Sequence, residues 1–268
     1  RAAFQEYNRI SGTKRRKLEL LTFSHFDNTS LVSNFHELVD DNNVFALIGF
    51  TGSQVHDSII PLLGTDGYSS IPLIGLNSGS TREFLKNVIN IRMSWKEELG
   101  AIIQHVLFTS KTRISLIYSK EHSNTKDVLE MILGTQNLEM ESSLEIDPDQ
   151  LGSQHYLDSQ FKEFASLGNP QVVIFSGTNE SVVIRFIESI NNLYLRDDIV
   201  VACISTINTA DVSQAIGANL KDVVLLGSFV VPDPSDLSKT VAASFADTLT
   251  YIDRKISGVN EFAALEGY

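Results

Sequence analysis

Short apolar runs alternate along this chain with longer segments whose apolar residues recur at helical spacing. The first clear pair of runs is 44–48 and 71–74. Each leads directly into a loop of Gly, Ser, Thr and Asn, and residues 53–63 between them carry helical spacing. This is a strand–loop–helix–strand–loop unit. Both loops leave the carboxyl end of a strand, the edge at which open α/β sheets bind ligands.

The same logic runs through the whole sequence. Residues 1–10 read as an amphipathic helix closed by Ser11-Gly12, and 18–23 as a buried strand because nearly every position is apolar. A helix follows from Asn28, with Leu31, Phe35, Leu38 and Val39 on one face. A further strand is predicted at 88–91. Later strands are predicted at 114–118, 138–146, 172–175, 199–204 and 223–231. Helices are predicted at 97–108, 125–133, 161–167, 180–195, 211–216 and 237–256. The run 138–146 alternates with polar residues and reads as nearer a sheet edge. Gly168-Asn169-Pro170 and Pro232-Asp233-Pro234 are clear stops.

Strand–helix alternation of this kind predicts an α/β fold of parallel sheets with helices on both faces. One series runs from 18 to 91 and a second from 114 to 231, so the pattern predicts two Rossmann-like lobes. The boundaries expected are 1–94 plus 232–268 for the first lobe and 95–231 for the second.

Composition narrows the function. The 268 residues carry a net charge of −12, which disfavours nucleic acid and anionic membrane surfaces, since both need a basic face. The basic run Lys14-Arg15-Arg16-Lys17 reads as a solvated turn. The single cysteine, Cys203, cannot form an intrachain disulfide or a cysteine-based zinc site and reads as a buried, inert thiol. No stretch has the length of a membrane span.

Catalytic motifs are missing. There is no G-x-G-x-x-G, no P-loop, no G-x-S-x-G elbow, and the six histidines show no metal-ligand spacing. No catalytic residue, metal or cofactor is therefore assigned. What is enriched is small hydroxyl and amide residues after strands: Thr51, Gly52 and Ser53; Asn77, Ser78, Gly79, Ser80 and Thr81; Ser119, Glu121, His122 and Ser123; Ser176, Gly177 and Thr178; Ser205 and Thr206. Glycine lets the backbone approach a ligand, and Ser and Thr hydroxyls both donate and accept hydrogen bonds. These residues serve equally as N-caps and turn formers, so a shared cleft and plain loop chemistry both remain open here.

An ordered set of segments resembles the type I periplasmic binding protein superfamily, in particular branched-chain amino-acid-type solute-binding proteins and related receptor ligand-binding domains. The set is VFALIGFTGS at 44–53, IPLIG at 71–75, NVINIRMS at 87–94 followed by Glu97-Glu98, FVVPDP at 229–234, and LEGY at 265–268. The resemblance covers essentially the whole chain. It implies two α/β lobes joined by a hinge, with a small polar solute held between them by hinge closure. It also implies a first strand before Arg1 and a further segment after Tyr268.

Carried over position by position, the resemblance implies first-lobe ligand contacts at Thr51, Gly52, Ser53, Asn77, Ser78, Gly79 and Ser80. The second lobe would contribute Glu121, His122, Ser176, Thr178 and Ser205. The chain departs from the family in that lobe. His122-Ser123 stands where an aromatic and a Gly are usual, Thr178 near a frequent Tyr, and Ser205 at the place of a common acidic residue. These departures count against an α-amino acid, with Glu121 the candidate to replace the missing negative charge.

The implied role is extracytoplasmic binding of an amino acid or related carboxylate or amide, delivered to a membrane permease. The alternative is the sensor domain of a membrane receptor or cyclase, with a fused signalling domain as partner. A doubly wound hydrolase or transferase is a third reading. It needs His122 or His56 beside Ser53, Ser78 or Ser176, and the sequence reading expects them apart.

Overall fold

The structure, a computed structural model, describes residues 2–11, 16–22, 28–50, 53–76, 78–79, 85–90, 92–193, 195, 198–217 and 223–228. They fall into two units, one ending at Arg92 and the other starting at Met93. The helix expected at 237–256, and the return of residues 232–268 to the first lobe, lie outside the described residues.

The first unit opens with α1 (Ala2–Ser11) and α2 (Asn28–His36), which continues through one π-helical turn, Glu37–Asp41. Then come β1 (Leu47–Ile48), α3 (Ser53–Ser58), α4 (Ile60–Leu63), β2 (Leu73–Leu76) and β3 (Val88–Asn90). The strands pair in parallel in the order β1-β2-β3. The register sets Leu47, Leu73 and Val88 side by side on the buried face. There they pack with Leu31, Phe35, Val55 and Leu63. The other face carries Ile48, Ile74 and Ile89, which are exposed. The segment 53–63 makes α3 and α4 rather than one helix. Pro61 sits in the first turn of α4, where its missing N–H leaves no intrahelical bond unmade.

The strand expected at 18–23 is not formed over residues 18–22. The Asn8 side chain takes both backbone groups of Leu18 instead, accepting from its N–H at 2.8 Å and donating to its C=O at 2.7 Å. Residues 18–22 and β1 both line a cavity of about 760 Å³. An apolar run sets burial preference but cannot supply a ladder partner.

The second unit contains α5 (Trp95–Phe108), β4 (Ile114–Ser119), a 3-10 turn at Lys120–His122, α6 (Asn124–Thr135), β5 (Ser142–Ile146), α7 (Gln154–Leu167), β6 (Val172–Ser176), α8 (Glu180–Ser189), β7 (Val200–Cys203), α9 (Thr209–Ile216) and β8 (Val224–Gly227). All strands pair in parallel in the order β5-β4-β6-β7-β8, so β5 is an edge strand. It spans Ser142–Ile146, shorter than the expected 138–146.

Period-two alternation divides this sheet into faces. Ile114, Leu116, Val172, Ile174, Val200 and Ala202 pack beneath α5 and α6. Ile117, Val173, Phe175, Val201 and Cys203 pack beneath α7, α8 and α9. Phe186 anchors the second face, with Phe161 and Phe175 edge-on at centroid distances of 5.2 and 5.3 Å. Each such fully buried phenylalanine stabilises the fold by roughly 1.5–3 kcal/mol relative to exposure.

Caps set the helix starts. Ser94 closes a full capping box on α5, accepting from the Glu97 N–H while its own N–H donates to Glu97 Oε2 at 2.8 Å. Asn179 and Asn208 cap α8 and α9 by a single bond each, their side-chain oxygens accepting from the Val182 and Ala210 N–H groups. Each cap contributes about 1 kcal/mol and fixes where a strand-end loop stops.

Candidate solute-binding site

The geometry of the second unit collects polar groups at the carboxyl ends of β4 and β6. The two strands are neighbours with Tyr118 beside Ser176, so the loops that follow them are adjacent although far apart in sequence. Ser176 Oγ lies 3.2 Å from His122 Nδ1. The His122 ring packs on Trp95, the first residue of α5, with centroids 4.3 Å apart and planes at 35°. Thr125 Oγ1 donates to the His122 C=O at 2.6 Å and holds the turn in place.

Gly177 is required at this point. Its φ is +69°, a conformation that side chains rarely adopt. A Cβ there would lie 2.6 Å from Ser119 Oγ and closer still to the imidazole of His122. The glycine thus lets the ring rest directly on the backbone.

Several buried polar atoms on α5, at the ends of β4 and β6 and at the start of α6 have no hydrogen-bond partner among the described residues. They are Trp95 Nε1, Ser119 Oγ, Asn124 Oδ1 and Thr178 Oγ1. A buried polar group without a partner costs about 1–3 kcal/mol. Such groups are otherwise nearly always satisfied in folded proteins, so a cluster of them marks a place where polar partners are expected.

The adjacent strand ends are held by carboxylates. Glu98, one turn after Trp95 on α5, is buried. Its Oε2 accepts from the Ser205 N–H at 2.8 Å and from Ser228 Oγ at 2.7 Å. Glu180 Oε1 likewise accepts from the Asn208 N–H at 2.9 Å. Both clasps fix loops rather than point an unused charge at the cluster. Cys203, at the end of β7, is buried, and its thiol is pushed up to about 12, mainly by burial and further by the charge of Glu180.

Of the residues singled out from sequence, His122, Ser176 and Thr178 belong to this cluster, and Ser205 joins its edge through Glu98. Glu121 is exposed on the Lys120–His122 turn. In the first unit, Ser78 and Gly79 are buried, and the Ser78 C=O accepts from Asn90 Nδ2 at 2.9 Å. Ser53 opens α3. Thr51, Gly52, Asn77 and Ser80, and the side chain of Ser53, lie outside the described residues. Trp95, Glu98, Asn124 and Ser228 were not among the candidates. The one signal for Trp95 was its being the single tryptophan, placed at a helix start after Ser94.

The expected separation of histidine and serine is corrected: His122 and Ser176 are hydrogen-bonded. The pair is nevertheless a poor nucleophile. Ser176 is wholly buried and its partner ring is packed against Trp95 and Gly177, so the pair presents no exposed nucleophile in this conformation. Among the described residues no group of His, Cys, Asp and Glu could hold a metal ion. No described helix is long and apolar enough to cross a membrane.

No protein-family profile matches the chain, and no curated protein matches it by sequence. Its structure is similar to solved binding proteins and receptors. An extracellular ligand-binding receptor from Verminephrobacter eiseniae aligns with a TM-score of 0.72 at 18% identity, over 100% of this chain and 74% of that one. A branched-chain amino acid ABC transporter protein from Thermus thermophilus with bound valine aligns at 0.71 and 12%, over 99% and 69%. An ABC transporter solute-binding protein from R. palustris in complex with benzoate aligns at 0.68 and 16%, over 99% and 71%. These neighbours are not enzymes. Parallel sheets flanked by helices in each unit, matched along the whole chain by such neighbours, give this protein the fold of the type I periplasmic binding proteins.

Proposed function

We propose that this chain binds a small polar solute outside the cytoplasm and delivers it to a membrane transporter. One observation carries the reading: buried hydrogen-bonding groups of Ser119 and Thr178, at the carboxyl ends of β4 and β6, and of Trp95, packed on His122, have no partner among the described residues. Strand carboxyl ends are the usual ligand edge of such sheets. The solved neighbours bound to valine and to benzoate support a small organic solute. In this reading the contacts are His122, Ser176, Thr178 and Ser205 in the second lobe, with Glu121 at its margin. The first lobe contributes Thr51, Gly52, Ser53, Asn77, Ser78, Gly79 and Ser80. The lobes are taken as 1–94 plus 232–268 and 95–231. Solute binding then biases the protein toward the conformer that satisfies these groups.

The receptor named among the neighbours supports a second reading, a ligand-binding domain whose partner is a fused signalling domain. The binding step is common to both readings. It is tested by a thermal-shift screen against amino acids, carboxylates, amides, sugars and purines. A solute at ~100 times its Kd stabilises the folded state by about 2.7 kcal/mol. A panel in which nothing shifts the melting temperature contradicts the reading.

A further inference from the structure

The second unit's cluster is rich in donors and has its buried carboxylate already committed. Trp95 Nε1 can only donate, and the hydroxyls of Ser119 and Thr178 can each donate. All three residues are at least nine-tenths buried, at 2%, 1% and 5% exposure, and these atoms have no partner among the described residues. The amide of Asn124 can present either its C=O or its NH2.

An ammonium group needs acceptors, and above all a desolvated negative charge. Glu98 is the buried acidic residue beside the cluster, at 2% exposure, and its Oε2 holds the Ser205 N–H and Ser228 Oγ. An ammonium bound there would compete with the Ser205 N–H and Ser228 Oγ for the same carboxylate. Glu180 is likewise used on the Asn208 N–H. Glu121 is exposed, where a charge pair in water contributes little.

We infer that the solute presents acceptor oxygens to the second unit and carries no α-ammonium group: a monocarboxylate with an apolar body rather than an α-amino acid. The His122 ring rests between Trp95 and the Gly177 backbone, which Ser119 Oγ also approaches, so His122 is the side chain that turns aside to admit the carboxylate. Turning the ring aside uncovers the face of the Trp95 indole on which it packs, and that face then flanks the apolar body. This inference rests on the solute-binding reading above and specifies the class of solute for the same site.

The test is calorimetric titration of the full chain with matched pairs: valine and 3-methylbutanoate, leucine and 4-methylpentanoate, phenylalanine and 3-phenylpropanoate. The deaminated member of at least one pair is expected to bind at least about tenfold tighter, the difference that a desolvated, unpaired charge readily produces. In Thr178→Val that preferred member should lose at least about fivefold in affinity, in line with the loss of one hydrogen bond. An amino acid that binds as tightly as its deaminated partner, or more tightly, overturns the inference and leaves solute binding standing. Binding of a sugar, amide or purine with no member of any pair bound does the same. Absence of binding by every solute class overturns the solute-binding reading and this inference together.

Discussion

The Ser205 N–H donates to Glu98 Oε2 at 2.8 Å, across a separation of 107 residues. The bond ties the first turn of α5 to the loop after β7. Ser228 Oγ adds a second bond to the same oxygen, so one buried carboxylate fixes two strand ends.

Glu98→Gln should therefore destabilise the second unit. Hydrogen bonds to a charged acceptor contribute about 1.5–3 kcal/mol each, and glutamine keeps the shape but weakens both. A lower denaturant midpoint with an unchanged m-value is the expected result. An unchanged midpoint would mean that the clasp contributes nothing to stability.

Gly177→Ala adds a Cβ at a φ of +69°, against His122 and Ser119 Oγ. Backbone strain and the close contact together should cost roughly 1–3 kcal/mol. Truncating the ring in Gly177→Ala/His122→Ala removes part of that cost. A double-mutant cycle should show a coupling of at least about 0.5 kcal/mol, whereas additive effects would contradict the packing of His122 on this backbone.

Cys203 sets a pH and reactivity prediction. Its folded thiol is raised from 9.0 to about 12, chiefly by burial. Below pH 9 the thiol is protonated in both the folded and unfolded states, so it contributes no pH dependence. Between pH 9 and about 12 the unfolded chain loses the proton first and binds fewer protons, so stability falls as pH rises through that window. Cys203→Ala should flatten this part of the stability–pH curve. A colorimetric thiol reagent at pH 8 should label the protein only after denaturant is added, and rapid labelling of the folded protein would contradict the burial.

Much of the second unit can be read from the sequence because its strands are short runs whose alternate residues serve opposite faces. Asn179, Asn208 and Ser94 also mark helix starts by chemistry that needs no tertiary partner. The segment at 18–22 shows the limit: its apolar content is visible, but the competition from Asn8 and the cavity it lines with β1 are tertiary facts. The same holds at the site. Thr178 and His122 follow strands and Ser176 ends one, so the strand-end rule finds them. Their contact depends on the β4–β6 register, which no spacing between 122 and 176 reveals. Glu98 reads in sequence as one more acidic residue in a helix's first turn. Only the placement of α5 over the strand ends makes it a clasp.

The most direct test combines stability and affinity in Ser119→Ala/Thr178→Val. Neither hydroxyl has a partner among the described residues, so their removal should leave the melting temperature unchanged or raise it. The measurement is calorimetric titration of the best solute from the thermal-shift panel into wild type and the double variant. A fall in affinity of at least about tenfold, with no loss of thermal stability, is the predicted result. Full affinity in the double variant would contradict solute binding at the carboxyl ends of β4 and β6.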